Sequence, residues 1–254
     1  KQIMSGYGNT KSYLIPSIVI RSVMDIYNKR DYELVIDICD KVLKDSHNYY
    51  SDITRELTYW LCLALCRTQK EERFYEEVKA LDGADYWFLK GFFQRIATKY
   101  NSAENFLKKA LEISPSMQRA KRELVTALLA QHRYPEALSL AKENYERDSD
   151  NTYHMHAYFR CLVKKVNINR EDIATLKELL DKMENSYSDK KEELHMAMNI
   201  EFQANIKRKS PDEMLDLIRN AEKNFPSSVN IQRAAHEYKL KQAIVSKEVV
   251  FPED

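Results

Sequence analysis

The chain has 254 residues, a net charge of +1 at neutral pH, 44% hydrophobic and 31% charged residues, and only 4 Gly and 6 Pro. Turns draw on Gly and Pro, so this scarcity excludes a many-turned sheet protein and leaves long helices joined by short polar corners. The hydrophobic share excludes extensive disorder, and the balanced charge argues against phosphate binding driven by bulk basicity.

In chain order, residues 1–11, with Gly6 and Gly8, read as a loose lead-in. A chain that starts at Lys1 rather than Met is expected to be a piece excised from a longer polypeptide. The apolar run Leu14–Ile20 is broken by Pro16 and followed by Arg21. It falls far short of the ~20 residues that span a bilayer. No basic, apolar and small-residue leader precedes it. No membrane partner is expected. Cys39, Cys62, Cys66 and Cys161 are scattered through apolar stretches, too sparse for a disulfide scaffold, and read as reduced thiols of a cytoplasmic protein.

The segment Tyr32-Glu33-Leu34-Val35-Ile36 is matched later by Tyr134-Pro135-Glu136-Ala137-Leu138. Between them, Ala84 to Met117 carries Trp87, Gly91, Ala103, Leu107, Ala110 and Pro115. Small residues at Gly91, Ala103 and Ala110 let two helices approach closely, with Trp87 and Leu107 filling the adjacent space. Pro115 ends the second helix, because proline lacks the amide donor and disfavours α geometry in the residue before it. Adding a 34-residue period to Ala103 gives Ala137, while subtracting it once gives the poor match Gln69 and twice gives Val35. Units one, three and four are therefore well formed, and unit two, roughly Tyr50 to Gly83, is degenerate.

Beyond Asp150 the phase slips by about nine residues and resumes with Met198, Phe202, Met214, Ile218, Ala221 and Pro226. The excess is expected in longer helices or in the corner Asn185–Asp189. A last helix, Ser228 to Ser246, suits an array cap, with Glu237, Lys239, Lys241 and Gln242 as its polar outer face.

These spacings resemble the tetratricopeptide-repeat family. The six residues from Trp87 to Pro115 occupy its positions 4, 8, 20, 24, 27 and 32 when Ala84 is position 1. The resemblance implies an all-α fold: a right-handed superhelical solenoid of about six helix-turn-helix repeats plus a C-terminal capping helix. The expected organisation is a lead-in at 1–11, a sub-array of about four repeats at 12–151, a second sub-array with its cap at 152–246, and a tail at 247–254.

Local chemistry is sparse. Four glycines provide no phosphate-cradling loop, so no nucleotide cofactor is expected. Cys62 and Cys66 are four apart on a helix, but a structural zinc needs two further ligands that are not evident. His154 and His156 point in different directions. No nucleophile elbow exists, and Glu71, Glu72, Glu76 and Glu77 read as solvated surface. No metal, no cofactor and no enzymatic activity are expected. The 16 Tyr and 9 Phe mostly pack between helices. Phe88 and Phe92 serve either packing or a ligand.

The family resemblance further implies a concave groove lined by the first helix of each unit. Its groove positions fall on Phe88, Phe92 and Arg95, on Arg119, Arg122 and Thr126, on Tyr153, His156 and Arg160 with Lys164 close by, and on Met196, Asn199 and Gln203. Arginine forks pair with carboxylates, so the implied partner is an acidic peptide or protein with aromatic or aliphatic anchors. Intramolecular carboxylates are the competing use of those arginines. The clamp for chaperone tails is not implied, since its positions hold Ile20, Met24, Thr54, Thr58, Phe88 and Phe92. The leading expectation is a protein-binding module, compatible with the sensor part of a larger signalling or defence protein. Alternatives are a helical-repeat RNA-binding protein, whose binding would be steeply salt-dependent, and a structural subunit of an assembly.

Overall fold

A computed structural model describes residues 14–44 and 51–245. The expected lead-in at 1–11 and tail at 247–254 lie outside the described residues. Among the described residues the structure is helical, with no strand. The helices are α1 (Leu14–Asn28), α2 (Tyr32–Leu43), α3 (Ser51–Thr68), α4 (Glu71–Glu77), α5 (Gly83–Ile96), α6 (Tyr100–Ile113) and α7 (Gln118–Ala130). They continue as α8 (Tyr134–Arg147), α9 (Thr152–Val163), α10 (Arg170–Glu184), α11 (Lys191–Phe202), α12 (Pro211–Asn224) and α13 (Val229–Val245).

The helices form hairpins whose turns share one device. Arg30, Gln69, Thr98 and His132 each adopt a left-handed backbone, with φ of 69°, 55°, 60° and 58°. After each of them the next amide reaches back to a carbonyl five residues earlier: Asp31 to Ile26, Lys70 to Leu65, Lys99 to Gln94 and Arg133 to Leu128. This is the Schellman closure, which satisfies the last carbonyls of a helix and reverses the chain. It is usually built on glycine, so its use here by four side-chain-bearing residues reconciles sharp corners with a glycine-poor composition.

The chain divides into two compact units, 1–127 and 128–254, with the division inside α7. It therefore precedes the phase slip near Asp150. In the first unit, α1 packs on α2 and α3, α2 on α3, α3 on α4 and α5, and α5 on α6. Its interior holds Leu57, Leu61, Leu65, Phe74, Leu89 and Leu107, all fully buried. Phe74 stacks on Phe93 at 4.6 Å between ring centres. The degenerate second unit is a long α3 followed by a short α4, which continues as a 3-10 turn at Val78–Ala80. Cys39, Cys62 and Cys66 are packed core thiols. Burial pushes Cys39 up to about 12 and also raises Cys62 and Cys66.

In the second unit, α8 packs on α9, α9 on α10 and α11, α11 on α12 and α13, and α12 on α13. Capping boxes start two of these helices, Asn169 with Asp172 at α10 and Ser210 with Glu213 at α12. Ala137, Met214, Ile218 and Ala221 are buried at the interhelical positions read from the period. Pro115 and Pro226 follow the ends of α6 and α12. The long connection Lys164–Asn169 and the 15-residue α10 lie in the stretch where the period slips.

One expectation for α13 needs correcting. Glu237 is half-buried and turned inward to Lys164, while Val229, Leu240 and Ile244 share the exposed surface with Lys239, Lys241 and Gln242. The outer surface of this helix is mixed, not polar.

Candidate partner-binding faces

Trp87, Gly91, Ala103, Leu107 and Ala110 are brought together at the α5–α6 seam, where α5 and α6 pack closely. Gly91 supplies the closest approach, against Leu107. Trp87 is half-buried and stacks on Phe106, with ring centres 5.8 Å apart. Lys109 and Lys90 lie over its ring at 4.5 and 5.4 Å.

On the first-helix face of the first unit, Phe88 and Phe92 are each only 3% exposed. They stack on one another at 5.9 Å, and Phe88 also stacks on Tyr59 at 6.4 Å. Both rings are thus packing residues first. Guanidiniums cover them. Arg119 lies over Tyr59 at 4.5 Å and over Phe88 at 5.3 Å, while Arg67 and Arg95 lie over Phe92 at 4.8 and 5.1 Å. Stacking of this kind stabilises a cation by roughly 0.5–2 kcal/mol and holds its plane fixed.

The same cations have intramolecular carboxylates. Arg119 Nη2 donates to Asp85 Oδ1 at 2.5 Å, and Arg55 reaches Asp82 and Asp85 at 3.2 Å each. Arg95 pairs with Glu123, and Arg67 Nε donates to the Tyr27 hydroxyl at 3.2 Å. Arg119 nevertheless keeps 40% of its side chain exposed. Arg122 and Thr126 are half-buried on α7, and the Thr126 hydroxyl donates to the carbonyl of Arg122.

In the second unit the expected residues part company. Tyr153 is exposed, whereas His156 is buried. Burial, reinforced by Arg233 and Arg160, holds His156 well below the ordinary histidine range and therefore neutral. Arg160 is drawn down to about 10 by burial and by Arg233. A network continues from there. Arg233 Nη2 donates to Glu201 Oε1 at 3.1 Å, with Arg160 Nε 4.0 Å from the same oxygen. Lys164 Nζ donates to Glu237 Oε2 at 2.7 Å. Glu201 is 4% exposed, and its other oxygen has no hydrogen-bond partner.

Beside this network lies a cleft of about 590 Å³. Lys164, Lys165, Arg208 and Lys241 line it together with Glu201 and Glu237. Its wall includes Asn205 and Ile206, from a π-helical turn at Gln203–Lys207 that ends at Arg208 in left-handed geometry, φ 52°. Single-turn π segments recur at functional positions.

Lys165, Glu201, Arg208 and Arg233 are not singled out by the sequence reading, which places Glu237 and Lys241 only on the polar outer face of a cap. The 34-residue register carries groove positions only through the sixth unit, and α13 was read as a cap. The spacing of Arg233, Glu237 and Lys241, every fourth residue on one helix face, was the available signal. Among the described residues, no group of three or more His, Cys, Asp or Glu side chains is placed to hold a metal ion. Nor is any described helix long and apolar enough to cross a membrane.

Residues 95–164, from the end of α5 through α9, match the family model described as tetratricopeptide repeat. Over that stretch the chain is similar to the tetratricopeptide-repeat family. A solved structure titled for the functional characterization of Pseudomonas aeruginosa pilF aligns over 87% of this chain and 97% of that one, with 13% identity and a TM-score of 0.54. That is a likeness of fold. Two looser structural matches are a YrrB protein, described as a tetratricopeptide-repeat protein with an unusual peptide-binding site, and a Naa15/Naa10 complex bound to HypK-THB. The first has 16% identity, coverage of 70% of this chain and 90% of that one, and a TM-score of 0.44. The second has 14% identity, coverage of 90% and 34%, and a TM-score of 0.42. No curated sequence matches the chain.

Proposed function

We propose that this chain is a non-catalytic protein–protein interaction module that takes acidic segments of a partner on its first-helix faces. The observation that carries this reading is the row of guanidiniums, Arg67, Arg95 and Arg119, immobilised over Tyr59, Phe88 and Phe92 in the first unit. Cations already held by rings lose little freedom when a carboxylate arrives, so more of the interaction appears as affinity. Arg119, 40% exposed, and Arg122 are the groups best placed to exchange or share an internal carboxylate with a partner's. Phe88 and Phe92 act beneath them as the platform, not as the contact surface.

Display selection of a random peptide library on the whole chain tests this. Enrichment of Asp and Glu over the input library is expected, with weaker retention by Arg122→Glu. Selected peptides no more acidic than the input would overturn the reading. So would tighter, steeply salt-dependent binding of single-stranded RNA, which would favour nucleic-acid recognition.

A further inference from the structure

We infer that the cleft of the second unit is a docking site for an acidic partner segment with an aliphatic anchor. This deepens the preceding reading and rests on it. Three features of the cleft point the same way.

The first is charge. Lys164, Lys165, Arg208 and Lys241 face two carboxylates, Glu201 and Glu237, leaving a cationic excess at the wall. Much of the pairing is already spoken for: Lys164 holds Glu237, and Lys165 holds Asp172 at 2.7 Å. Lys241 donates only to the neutral Asn205 side chain, and Arg208 has no ion pair among the described residues. Both are exposed. These two cations are the ones that meet an incoming carboxylate without first giving up another.

The second is the apolar part of the wall. Val163, Val166, Ile168, Ile173 and Ile206 are all aliphatic, and Tyr134 is the one aromatic ring among the lining residues. Val166 is 89% exposed, on the connection that follows α9. An aliphatic wall beside a cationic rim matches a segment in which Leu, Ile or Val neighbours Glu or Asp. It differs from the aromatic platform of the first unit. A volume of about 590 Å³ is in the range that holds a few residues of peptide.

The third is Glu201. It is nine-tenths buried and lines the cleft, and one carboxylate oxygen has no donor. Buried acceptors are nearly always satisfied. With Arg160 Nε and Arg233 Nε, which also lack hydrogen-bond partners, Glu201 forms an incompletely satisfied polar network behind the cleft wall.

Fluorescence anisotropy on the whole chain tests the inference, using a labelled peptide of repeating Glu-Leu-Gly, with Gln-Leu-Gly and Glu-Ser-Gly peptides as comparators. Wild type is expected to bind the first at least about tenfold more tightly than either comparator. The double reversal Arg208→Glu/Lys241→Glu is expected to weaken binding about tenfold or more, and the milder Arg208→Gln/Lys241→Gln pair by about threefold, whereas Lys177→Glu on α10 leaves it within about twofold. Circular dichroism and melting midpoints matching wild type show that the variants remain folded. If acidic peptides bind wild type and both double variants equally, the cleft is not the site, although the broader reading stands. If no acidic peptide binds wild type, the broader reading fails and the cleft inference falls with it.

Discussion

A Cβ placed on Gly91 would stand 2.7 Å from Cγ and 2.9 Å from Cδ2 of Leu107, and 3.1 Å from the Leu107 backbone nitrogen. Leu107 is fully buried and cannot swing away. Gly91→Ala should therefore destabilise the chain by roughly 1–3 kcal/mol, although alanine is the better helix former. Leu107→Ala alone leaves a cavity and should cost roughly 2–5 kcal/mol. The double variant should cost less than the sum, because the new methyl enters the space that the leucine vacates. Thermal or denaturant unfolding of the four proteins measures this coupling.

The hairpin turns give a prediction of opposite sign. Thr98 holds a left-handed φ of 60°, a geometry that is costly for a β-branched residue. Relief of roughly 1–2 kcal/mol of strain by Thr98→Gly exceeds the ~0.5–1 kcal/mol of extra chain entropy that glycine loses. The variant should be more stable than wild type by about 0.5–1 kcal/mol, and Thr98→Ala should show no comparable gain. A Thr98→Gly variant less stable than wild type by about 0.5–1 kcal/mol would show that this turn carries no strain.

The network of the second unit is predicted to be strongly coupled. Glu201→Ala removes the carboxylate shared by the partly buried Arg160 and Arg233, of which Arg233 keeps Glu237 at 3.8 Å, and should cost about 2–3 kcal/mol. Adding Arg233→Met should restore part of that loss, since it removes one stranded charge. An additive double variant would show that the pair does not interact.

Glu237 sets a pH dependence. Burial works to raise its pKa, but the hydrogen bond and charge of Lys164, with the charges of Arg233 and Arg160, outweigh it and hold the carboxyl below its usual value of 4.5. A carboxyl held low in the folded state contributes stability above its ordinary range, and that contribution disappears as pH falls through the folded value. The melting midpoint of Glu237→Gln should lie below wild type at about pH 6, and the two should converge as pH falls to about 3. A constant difference across that range would assign the effect to shape alone.

The α5–α6 hairpin was legible because its determinants are local and chemically distinctive: Gly91, Ala103 and Ala110 are small where two backbones approach, and Pro115 marks a helix end. The turn device was not legible, because Arg30, Gln69, Thr98 and His132 share a backbone angle and no side-chain property. Phe88 and Phe92 read in the sequence as serving either packing or a ligand, and a helical register cannot say that Arg67, Arg95 and Arg119 close over them. The cleft was missed for a related reason. Lys165, Glu201, Arg208 and Lys241 come from four stretches separated by a slipped period, and only the packing of α9, α11 and α13 gathers them.

The central claim is that charge on the partner is what this chain recognises. The most direct measurement is the equilibrium affinity of one display-selected acidic peptide and of its Gln-for-Glu counterpart, each titrated against the whole chain at low and physiological salt. The account predicts that the acidic peptide binds at least about tenfold more tightly at low salt and that this advantage shrinks as salt screens the contacts. Equal affinities for the two peptides, unchanged by salt, would contradict it.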